Sequence, residues 1–314
     1  MDEPRVSIGL PVYNGERYLR RALDSILAQD FKDFELIISD NASTDQTAVI
    51  CREYGKRDSR IRFYQNDTNI GADPNHNRVF ELARAQYFKW AAHDDECMPG
   101  LLGRCVEALD RSPEVVLAYP KAELIDENNQ VMAINSSLIA SDYTRPHRRL
   151  ARVLYRVVWS IPGYGLHRSE ALRKTRLVDS FVSSDYILFA ELAMLGRIVE
   201  VPEVLFRRRL HAGRSFVAHP TKKALRKFLD PAKAKDLDPL PTRERLVWEY
   251  IRSAWKLPLC PMDRILCTIT APCVVYTRIF MRMVTPLKST TDKFLHKDAP
   301  HAKVEAQKGT VTLP

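Results

Sequence analysis

The spacing of hydrophobic positions divides the first 120 residues into alternating strands and helices. Short apolar runs rich in β-branched residues are typical of buried strands, and apolar residues that recur every three or four positions are typical of helices. The predicted strands are 6–10, 34–40, 61–65, 86–92 and 114–120, and the predicted helices between them include 15–31, 74–85 and 100–112. This alternation predicts βαβ units and a mainly parallel sheet flanked by helices, which is an α/β fold.

The second half of the chain has a less regular pattern. We expect a strand at 129–134, a helix at 149–159 and two short strands around Pro202. The segment 183–196 predicts an amphipathic helix, with Ser183 or Ser184 as its cap and Gly196 as its stop. From residue 216 onward the chain is basic and interrupted by prolines, with helical patterns at 222–229, 242–257 and 265–283. We therefore expect a domain at 1–215, a helical basic extension at 216–285 and a disordered tail at 286–314.

Three polar clusters follow predicted strands directly: "PVYN" after the first, "SDNASTD" after the second and "AHDD" after the fourth. The carboxyl ends of parallel strands meet at one edge of a sheet, where α/β proteins bind ligands. By itself, the pair Asp94 and Asp95 is more typical of a solvated turn or a helix start. Its place among the other clusters predicts instead that it lines a site.

Two adjacent aspartates with no sulfur ligands nearby suit a hard divalent cation, Mg²⁺ or Mn²⁺. Such a cation neutralises a phosphorylated ligand, and Asp40 is placed to accept hydrogen bonds from a base or a ribose. Further donors and acceptors in the same clusters and the next loop are Asn14, Asn41, Ser43 and Asn69.

The excess of basic over acidic residues lies entirely in the C-terminal third of the chain. Residues 206–314 contain 22 Lys and Arg against 9 Asp and Glu, whereas residues 1–205 contain 26 against 30. An excess of this kind suits an anionic partner, such as a membrane surface, an acidic polymer or nucleic acid, and a merely solvated face is an equal alternative. Nucleic acid is disfavoured because the region has no recognisable motif and no regular aromatic interleaving.

The six cysteines match neither a zinc pattern nor a disulfide framework, which favours reduced thiols in a cytoplasmic protein. The N-terminus is acidic where a signal peptide would be basic. The longest apolar run, 265–277, has 13 residues and contains Pro272, so we expect it to be too short to span a bilayer.

Two long segments resemble the family 2 glycosyltransferases, which have a GT-A fold with a Rossmann-like sheet. The first is "VSIGLPVYNGERYLRRALDSILAQDFKDFELIISDNASTDQT" and the second is "NIGADPNHNRVFELARAQYFKWAAHDDECMPGLL". The resemblance extends over about 6–215. It implies an inverting transfer of a sugar from a nucleotide diphosphate donor to a hydroxyl acceptor, which would be a glycan or a lipid-linked saccharide.

The resemblance also implies roles for individual residues. Asp94 and Asp95 would hold the divalent metal, and Asp185, at the start of a later helix, would be the catalytic base. His211 would complete the metal site or touch the diphosphate, with Arg209 and Arg214 as phosphate partners. Residues expected to line the nucleotide sugar are Pro11, Tyr13, Asn14, Asp40, Asn41, Ser43, Asn69, Gly71, Asn77 and His93.

The chain departs from the family pattern at two positions. Ala92 stands where the family often has the first aspartate of D-x-D-D, and Ser184 stands where it often has the glutamate before the base. His93 either replaces a lost contact or is solvated. These departures keep open a non-catalytic nucleotide-sugar-binding module of the same fold. A nucleotidyltransferase is disfavoured because "PVYNGERYL" is not a glycine-rich basic loop.

We therefore expect a metal-dependent glycosyltransferase in the cytoplasm. The basic, amphipathic extension would hold it on the cytoplasmic face of an anionic membrane, where a lipid-linked acceptor is available.

Overall fold

The structure is a computed structural model that describes residues 3–158, 160–233 and 242–284. Its first half follows the predicted alternation of strands and helices. The elements are β1 (Val6–Val12), α1 (Glu16–Leu27), β2 (Phe34–Asp40), α2 (Thr47–Arg57), β3 (Ile61–Gln65), α3 (Ala72–Glu81) and β4 (Tyr87–Trp90). All seven residues of β1 and all seven of β2 are buried, which explains why each appears in the sequence as an almost continuous apolar run.

The first four strands lie in the order β3-β2-β1-β4 and all pair in parallel. Val12, at the end of β1, lies opposite Asp40, at the end of β2. The polar clusters that follow β1, β2 and β4 therefore emerge at one edge of the sheet, as the sequence predicts.

The second half adds strands of both directions and most of the helices. Its elements are β5 (Glu96–Cys97), α4 (Leu101–Asp110), β6 (Val115–Ile125), β7 (Val131–Asn135), α5 (Pro146–Arg156), a 3₁₀ turn (Ile161–Tyr164), β8 (Leu166–Arg168), α6 (Ser169–Arg173), α7 (Ser184–Leu195), β9 (Arg197–Arg209), α8 (Ser215–Ala218), α9 (Lys222–Leu229), α10 (Thr242–Lys256) and α11 (Pro261–Val284).

The strands of the described residues form one nine-stranded sheet, in the order β3-β2-β1-β4-β8-β6-β9-β5 with β7 paired to β6. The α/β class is confirmed, but the sheet is mixed rather than mainly parallel. Strand β8 is antiparallel to both β4 and β6, and β5 is antiparallel to β9. The short strands β5 and β8 were not predicted, because two or three residues are too few to show an alternation of hydrophobic and polar positions.

Two predictions for the second half are wrong. Strand β9 is continuous through Pro202, where two short strands were predicted. Its parallel pairing with β6 shifts register near Pro120, and this irregularity accommodates the proline. Helix α7 is buried on all sides rather than amphipathic. It packs on α5, β6 and β9, while α10 of the extension covers its outer side.

The helices of the extension share a hydrophobic core with the preceding part of the chain. Leu246, Tyr250 and Ala254 of α10, and Cys267 and Ala271 of α11, are buried. They pack in one cluster with residues of α5 and α7, among them Leu150, Leu154, Ile187, Ala190 and Met194.

A buried ionic network reinforces this contact. Arg176 binds Glu191 of α7 at 2.9 Å and also pairs with Glu249 of α10, while Ser253 of α10 donates to Glu191 at 2.7 Å. The predicted tail at 286–314 lies outside the described residues.

Helix α11 changes the expectation about membrane-spanning length. Within the described residues, its stretch Pro261–Met281 is long and apolar enough to cross a membrane, judged by length and composition alone. The apolar run of the sequence appeared shorter because Arg264 and Arg278 flank it. In this stretch Cys267 and Ala271 are buried, whereas Met262, Ile265 and Ile269 are exposed on the opposite face.

Candidate active site

The loops after β1 and β2 are locked together by Asn14 and Ser43. The backbone N–H of Asn14 donates to the Ser43 Oγ (2.9 Å), and the Asn14 Oδ1 accepts from the backbone N–H of Thr44 (2.9 Å). Asn14 has a φ of 50°, the left-handed region that asparagine tolerates better than most residues. Tyr13 projects from this loop with 38% of its surface exposed, so its ring is available to stack on a planar group. Pro11 lies within β1, opposite Ser39.

Asp40 ends β2 with a fully buried carboxylate. Its Oδ1 accepts from the backbone N–H of Ser43 (3.1 Å), whereas its Oδ2 has no hydrogen-bond partner among the described residues. A buried carboxylate oxygen without a partner is costly, and such groups are rare outside functional sites. Asp40 is therefore suited to receive a donor from a bound ligand.

Asn41 and Asn69 are engaged within the protein. The Nδ2 of Asn41 donates to the Asn69 Oδ1 (2.9 Å) and to the Gly71 carbonyl (3.0 Å), and its Oδ1 accepts from Asn66 (3.0 Å) and from the Ile70 N–H (2.9 Å). These bonds use the amide of Asn41 fully, so its role is to shape the loop that follows β3.

Gly71 and Asn77 connect this loop to later parts of the chain. Gly71 has a φ of 98°, and a Cβ placed there would meet the Leu229 carbonyl oxygen at 2.5 Å. The Asn77 side chain donates to the Val178 carbonyl (2.8 Å) and accepts from the Val178 N–H (3.2 Å). Both residues therefore position backbone around the site.

Asp94 and His211, both predicted to be site residues, are in direct contact. The His211 Nε2 lies 2.8 Å from the Asp94 Oδ2, and the His211 Nδ1 accepts from the Gly213 N–H at 3.2 Å. Because Nδ1 is an acceptor, Nε2 carries the proton that is donated to Asp94. Burial acts to raise the pKa of Asp94, but the hydrogen bond from His211 and the electrostatic effect of the neighbouring His93 hold it below its usual range.

This pair has the geometry of two metal ligands. Adjacent ligands of an octahedral Mg²⁺ or Mn²⁺ at about 2.1 Å lie roughly 3 Å apart, close to the observed separation. A cation would replace the shared proton, and phosphate oxygens would complete its shell. The described residues contain no group of three or more His, Cys, Asp or Glu side chains that could hold a metal by themselves. A site of two ligands fits a cation that binds together with a diphosphate.

Asp95 faces the protein interior. Its Oδ1 accepts from the backbone N–H of Arg209 at 2.9 Å, which ties the turn after β4 to the end of β9. Burial and the neighbouring charge of Asp94 raise the pKa of Asp95, against the charge of Arg208. His93 lies over Gly15, where an added Cβ would stand 2.8 Å from its Cδ2, so its ring closes the loop after β1.

Asp185 lies in the first turn of α7 and is half-buried. Its Oδ2 accepts a hydrogen bond from the Ser160 hydroxyl. Burial raises the pKa of Asp185, while the bond from Ser160, the Tyr186 N–H and the charge of Arg208 act against that rise. A carboxylate whose proton affinity is raised and whose position is held by a hydroxyl is suited to act as a general base.

Arg208 is the site residue that the sequence reasoning missed. The charge of Arg208 opposes the rise in the pKa of Asp95 and of Asp185, so this arginine lies near both carboxyl groups. The sequence "FRRRLH" shows three consecutive arginines but not which face of the sheet each of them takes. Because side chains alternate along a strand, Arg208 points to the face opposite to that of Arg207 and Arg209.

Arg209 is not placed to bind phosphate. Its side chain is 1% exposed and donates to the Asp94 carbonyl (3.0 Å), the Asp126 carbonyl (3.1 Å), Asn129 (2.6 Å) and Glu96 (2.6 Å). It is a structural cation that holds the turn bearing Asp94. Arg214 follows His211 closely, and its backbone N–H donates to the His211 carbonyl (3.3 Å).

A family model, "Glycosyl transferase family 2", matches residues 7–174, more than half of the chain. The chain belongs to this family. A similar curated protein is an uncharacterised glycosyltransferase of Rickettsia typhi, 30% identical over 213 residues, which are 66% of this chain and 64% of that protein. The chain thus spans less than two thirds of the length of that relative.

Two solved structures share the fold of this family member. TarS of S. aureus in complex with UDP-GlcNAc superposes with a TM-score of 0.63 at 16% identity, covering 93% of this chain and 78% of that one. The mannosyltransferase PcManGT of Pyrobaculum calidifontis, in complex with GDP-Man and Mn²⁺, has a TM-score of 0.53 at 15% identity, covering 95% and 80%. At these identities the likeness establishes the GT-A type of fold.

Proposed function

We propose that this family 2 member is an inverting, metal-dependent glycosyltransferase. It would transfer a sugar from a nucleotide diphosphate donor to a hydroxyl group of a glycan or a lipid-linked saccharide. The observations that support the proposal are the contact between Asp94 and His211 in the turn after β4 and the Asp185 carboxylate that Ser160 holds at the start of α7. A nucleotide-binding edge flanked by a metal pair and a base is what this transfer requires.

On the donor side, Asp94 and His211 would hold Mn²⁺ or Mg²⁺, and the set of one carboxylate and one imidazole is acceptable to Mn²⁺ in particular. The bound cation would supply charge neutralisation and Lewis-acid stabilisation of the leaving diphosphate. Asp40, with its unpartnered Oδ2, would accept a hydrogen bond from the nucleoside, and the exposed ring of Tyr13 would stack on the base. The positive charge of Arg208 would lie on the side where diphosphate charge develops.

On the acceptor side, Asp185 would remove the proton of the attacking hydroxyl. A sugar hydroxyl is a weak acid, so the attack needs a base aligned with the hydroxyl while the bond forms. The Ser160 hydroxyl donates to the Oδ2 of Asp185 and so fixes the orientation of the carboxylate that would face the acceptor. A single in-line displacement assisted by one base inverts the anomeric configuration.

The exposed face of the extension supports a peripheral membrane association. Five apolar residues of α11 at helical spacing share one face, opposite the buried Cys267 and Ala271, and all are at least 48% exposed: Met262, Ile265, Ile269, Tyr276 and Phe280. Trp255 of α10 is 55% exposed and donates from Nε1 to Thr268 of α11 at 3.0 Å.

Tryptophan, tyrosine and basic side chains around an apolar stripe are typical of helices that lie in a membrane interface. We therefore place the acceptor at an anionic membrane surface.

The test of the transferase proposal is a panel of UDP-, GDP- and dTDP-sugars with Mn²⁺. We expect one donor to raise the melting temperature only when the metal is present, and to release its nucleoside diphosphate slowly to water. A donor that stabilises the protein equally in EDTA would contradict the metal site. Binding without any turnover, with both glycan and lipid-linked acceptors present, would favour the non-catalytic binding module that Ala92 and Ser184 suggest.

A further inference from the structure

Lys89 is a fully buried cation in the central strand β4. Its side chain is 0% exposed, and its ammonium donates to the carbonyl oxygens of Trp90 (3.0 Å) and Tyr164 (2.5 Å). The same nitrogen lies 5.3 Å from the centre of the Phe206 ring. Within the described residues no carboxylate forms an ion pair with it, although burial of an unpaired ammonium is strongly unfavourable. A role in the site would explain why a cation is kept there.

The two carbonyl groups that Lys89 holds belong to opposite sides of the site. Trp90 is the last residue of β4, and the chain passes from it directly into the turn that carries Asp94. Tyr164 ends the 3₁₀ turn that starts beside Ser160, the residue whose hydroxyl binds Asp185. One ammonium group therefore joins the strand that leads to the metal pair with the turn that positions the base.

The surroundings of Tyr164 strengthen this connection. Its ring stacks on Phe206 of β9, with 5.4 Å between ring centres and 20° between planes. Phe206 pairs with Cys97 of β5, directly after the aspartate turn, and β9 continues to Arg208. Lys89 thus lies beneath the point where β4, β9 and the 3₁₀ turn meet.

The chemistry of lysine fits this position better than its alternatives do. An ammonium carries three donors on a flexible stem, so it can reach two carbonyl groups that face each other across a gap. Arginine has a larger, rigid planar group, and methionine has no donor. The charge of Lys89 also acts on the buried carboxyl of Asp95, where it opposes the effects of burial and of Asp94.

We propose that Lys89 is a positioning residue that holds the base side of the site, Ser160 to Tyr164 and through them Asp185, at a set distance from the metal side at Asp94. This inference rests on the proposed transferase function. Under this proposal, Lys89 affects the alignment of the acceptor with the donor but not the affinity for the donor, because it is buried beneath the site and would contact neither substrate.

The test is Lys89→Met, which keeps the apolar volume and removes both hydrogen bonds. We expect the transfer kcat to fall about 10–100-fold, the usual effect of a misalignment near 1 Å, with the donor Kd in Mn²⁺ changed less than about threefold. Hydrogen exchange should rise in peptides covering 160–165 and 91–95. The effect on kcat should not add to that of Ser160→Ala, since both changes loosen the same turn.

The matched control is Arg149→Met. Arg149 is another buried cation that binds only carbonyl oxygens in the described residues, those of Tyr143, Thr144, Ala193 and Met194, and it lies at the far end of α7 from Asp185. We expect Arg149→Met to lower the melting temperature. It should not lower kcat while leaving the donor Kd unchanged, and it should not speed hydrogen exchange in 160–165.

Several outcomes would overturn the proposal. One is a parallel loss of kcat and donor affinity in Lys89→Met, and another is an effect on kcat no larger than that of Arg149→Met. If Lys89→Met does not fold, Lys89→Gln, which keeps one donor group, takes its place; failure of both to fold would make Lys89 a residue of core stability only. If the wild-type protein transfers no sugar, the transferase proposal fails, and the exchange data alone decide whether Lys89 holds the turn.

Discussion

The His211 imidazole donates a hydrogen bond to the Asp94 carboxylate over 2.8 Å, although the two residues are 117 positions apart in the chain. Strand β9 makes this possible because it pairs with β5, just after the aspartate turn, and carries the chain past Asp94 to His211. The buried Arg209 secures the contact by binding the Asp94 carbonyl. A pair held from both sides in this way is preorganised, as the proposed metal site requires.

Replacement of Asp94 tests the metal site. Asp94→Ala should weaken donor binding in Mn²⁺ by about 100-fold or more, because the ligand that anchors the cation is lost and metal stabilisation of a diphosphate amounts to several kcal/mol. His211→Ala should weaken it less, since Asp94 remains. Titration calorimetry with and without Mn²⁺ measures both. The control is Glu107→Ala, at an exposed position of α4, and unchanged affinity in Asp94→Ala would refute the assignment.

Replacement of Asp185 tests the base. Asp185→Asn keeps the size and the helix position but cannot take a proton, so the transfer rate should fall about 10²–10⁴-fold with donor affinity nearly unchanged. NMR of the product made by the wild-type enzyme should show the inverted anomer. Asp179→Asn, at a carboxylate six residues earlier, is the control and should retain most of the activity. A product of retained configuration would rule out the single displacement.

The pH dependence of transfer should report on Asp185. Burial raises its pKa, so the acid limb of the kcat profile should lie above the range of an ordinary aspartate, with activity rising as the base loses its proton. The Ser160 bond acts to lower this pKa. Ser160→Ala should therefore move the limb to higher pH and lower the rate at acidic pH most. A limb that stays in place or moves to lower pH in this variant would contradict the role of Ser160.

The buried network of Arg176 predicts that the extension is part of the fold. Arg176→Met would leave Glu191 and Glu249, whose side chains are 4% and 0% exposed, without this cation. Removing one partner of a buried ion pair costs about 3–5 kcal/mol in the free energy of unfolding, which urea denaturation measures. The exposed arginine of the pair Arg104–Glu107 serves as the control, and Arg104→Met should change stability by less than about 1 kcal/mol. Equal losses in both variants would speak against the network.

Vesicle binding tests the face of α11. The wild-type protein should sediment with anionic vesicles at low salt and be released as salt rises, because each basic residue near the surface contributes about 1 kcal/mol. Replacing Ile269 and Phe280 by serine should reduce binding by removing apolar contact. The same change at Val131 and Ile134, which are 52% and 65% exposed on β7, is the matched control. Binding that is lost in the control pair and kept in the α11 pair would place the contact elsewhere.

The sequence alone determined the positions of the first strands and the edge at which they end. These positions could be predicted because a parallel strand that is buried on both faces appears in the sequence as an apolar run. The polar residue that ends the run also marks the edge of the sheet where ligands bind. Asp40 and Asp94 were found in this way: Asp40 is the last residue of β2, and Asp94 lies in the turn that follows β4. Local periodicity also located α9, α10 and α11 of the extension to within a few residues.

Tertiary structure decided what each polar residue does at that edge. Asn41, Asp95 and Arg209 have side-chain chemistry that suits a ligand, and each also bonds within the protein: to the Gly71 carbonyl, to the Arg209 N–H and to the Asp94 carbonyl, respectively. The phase of β9 made Arg208 face the site, and the cover provided by α10 buried α7 on all sides. Lys89 was visible in the sequence only as a polar break in an apolar strand. Contacts between distant segments set these roles, because a hydrogen bond depends on where the chain returns in space and not on the residues next to it.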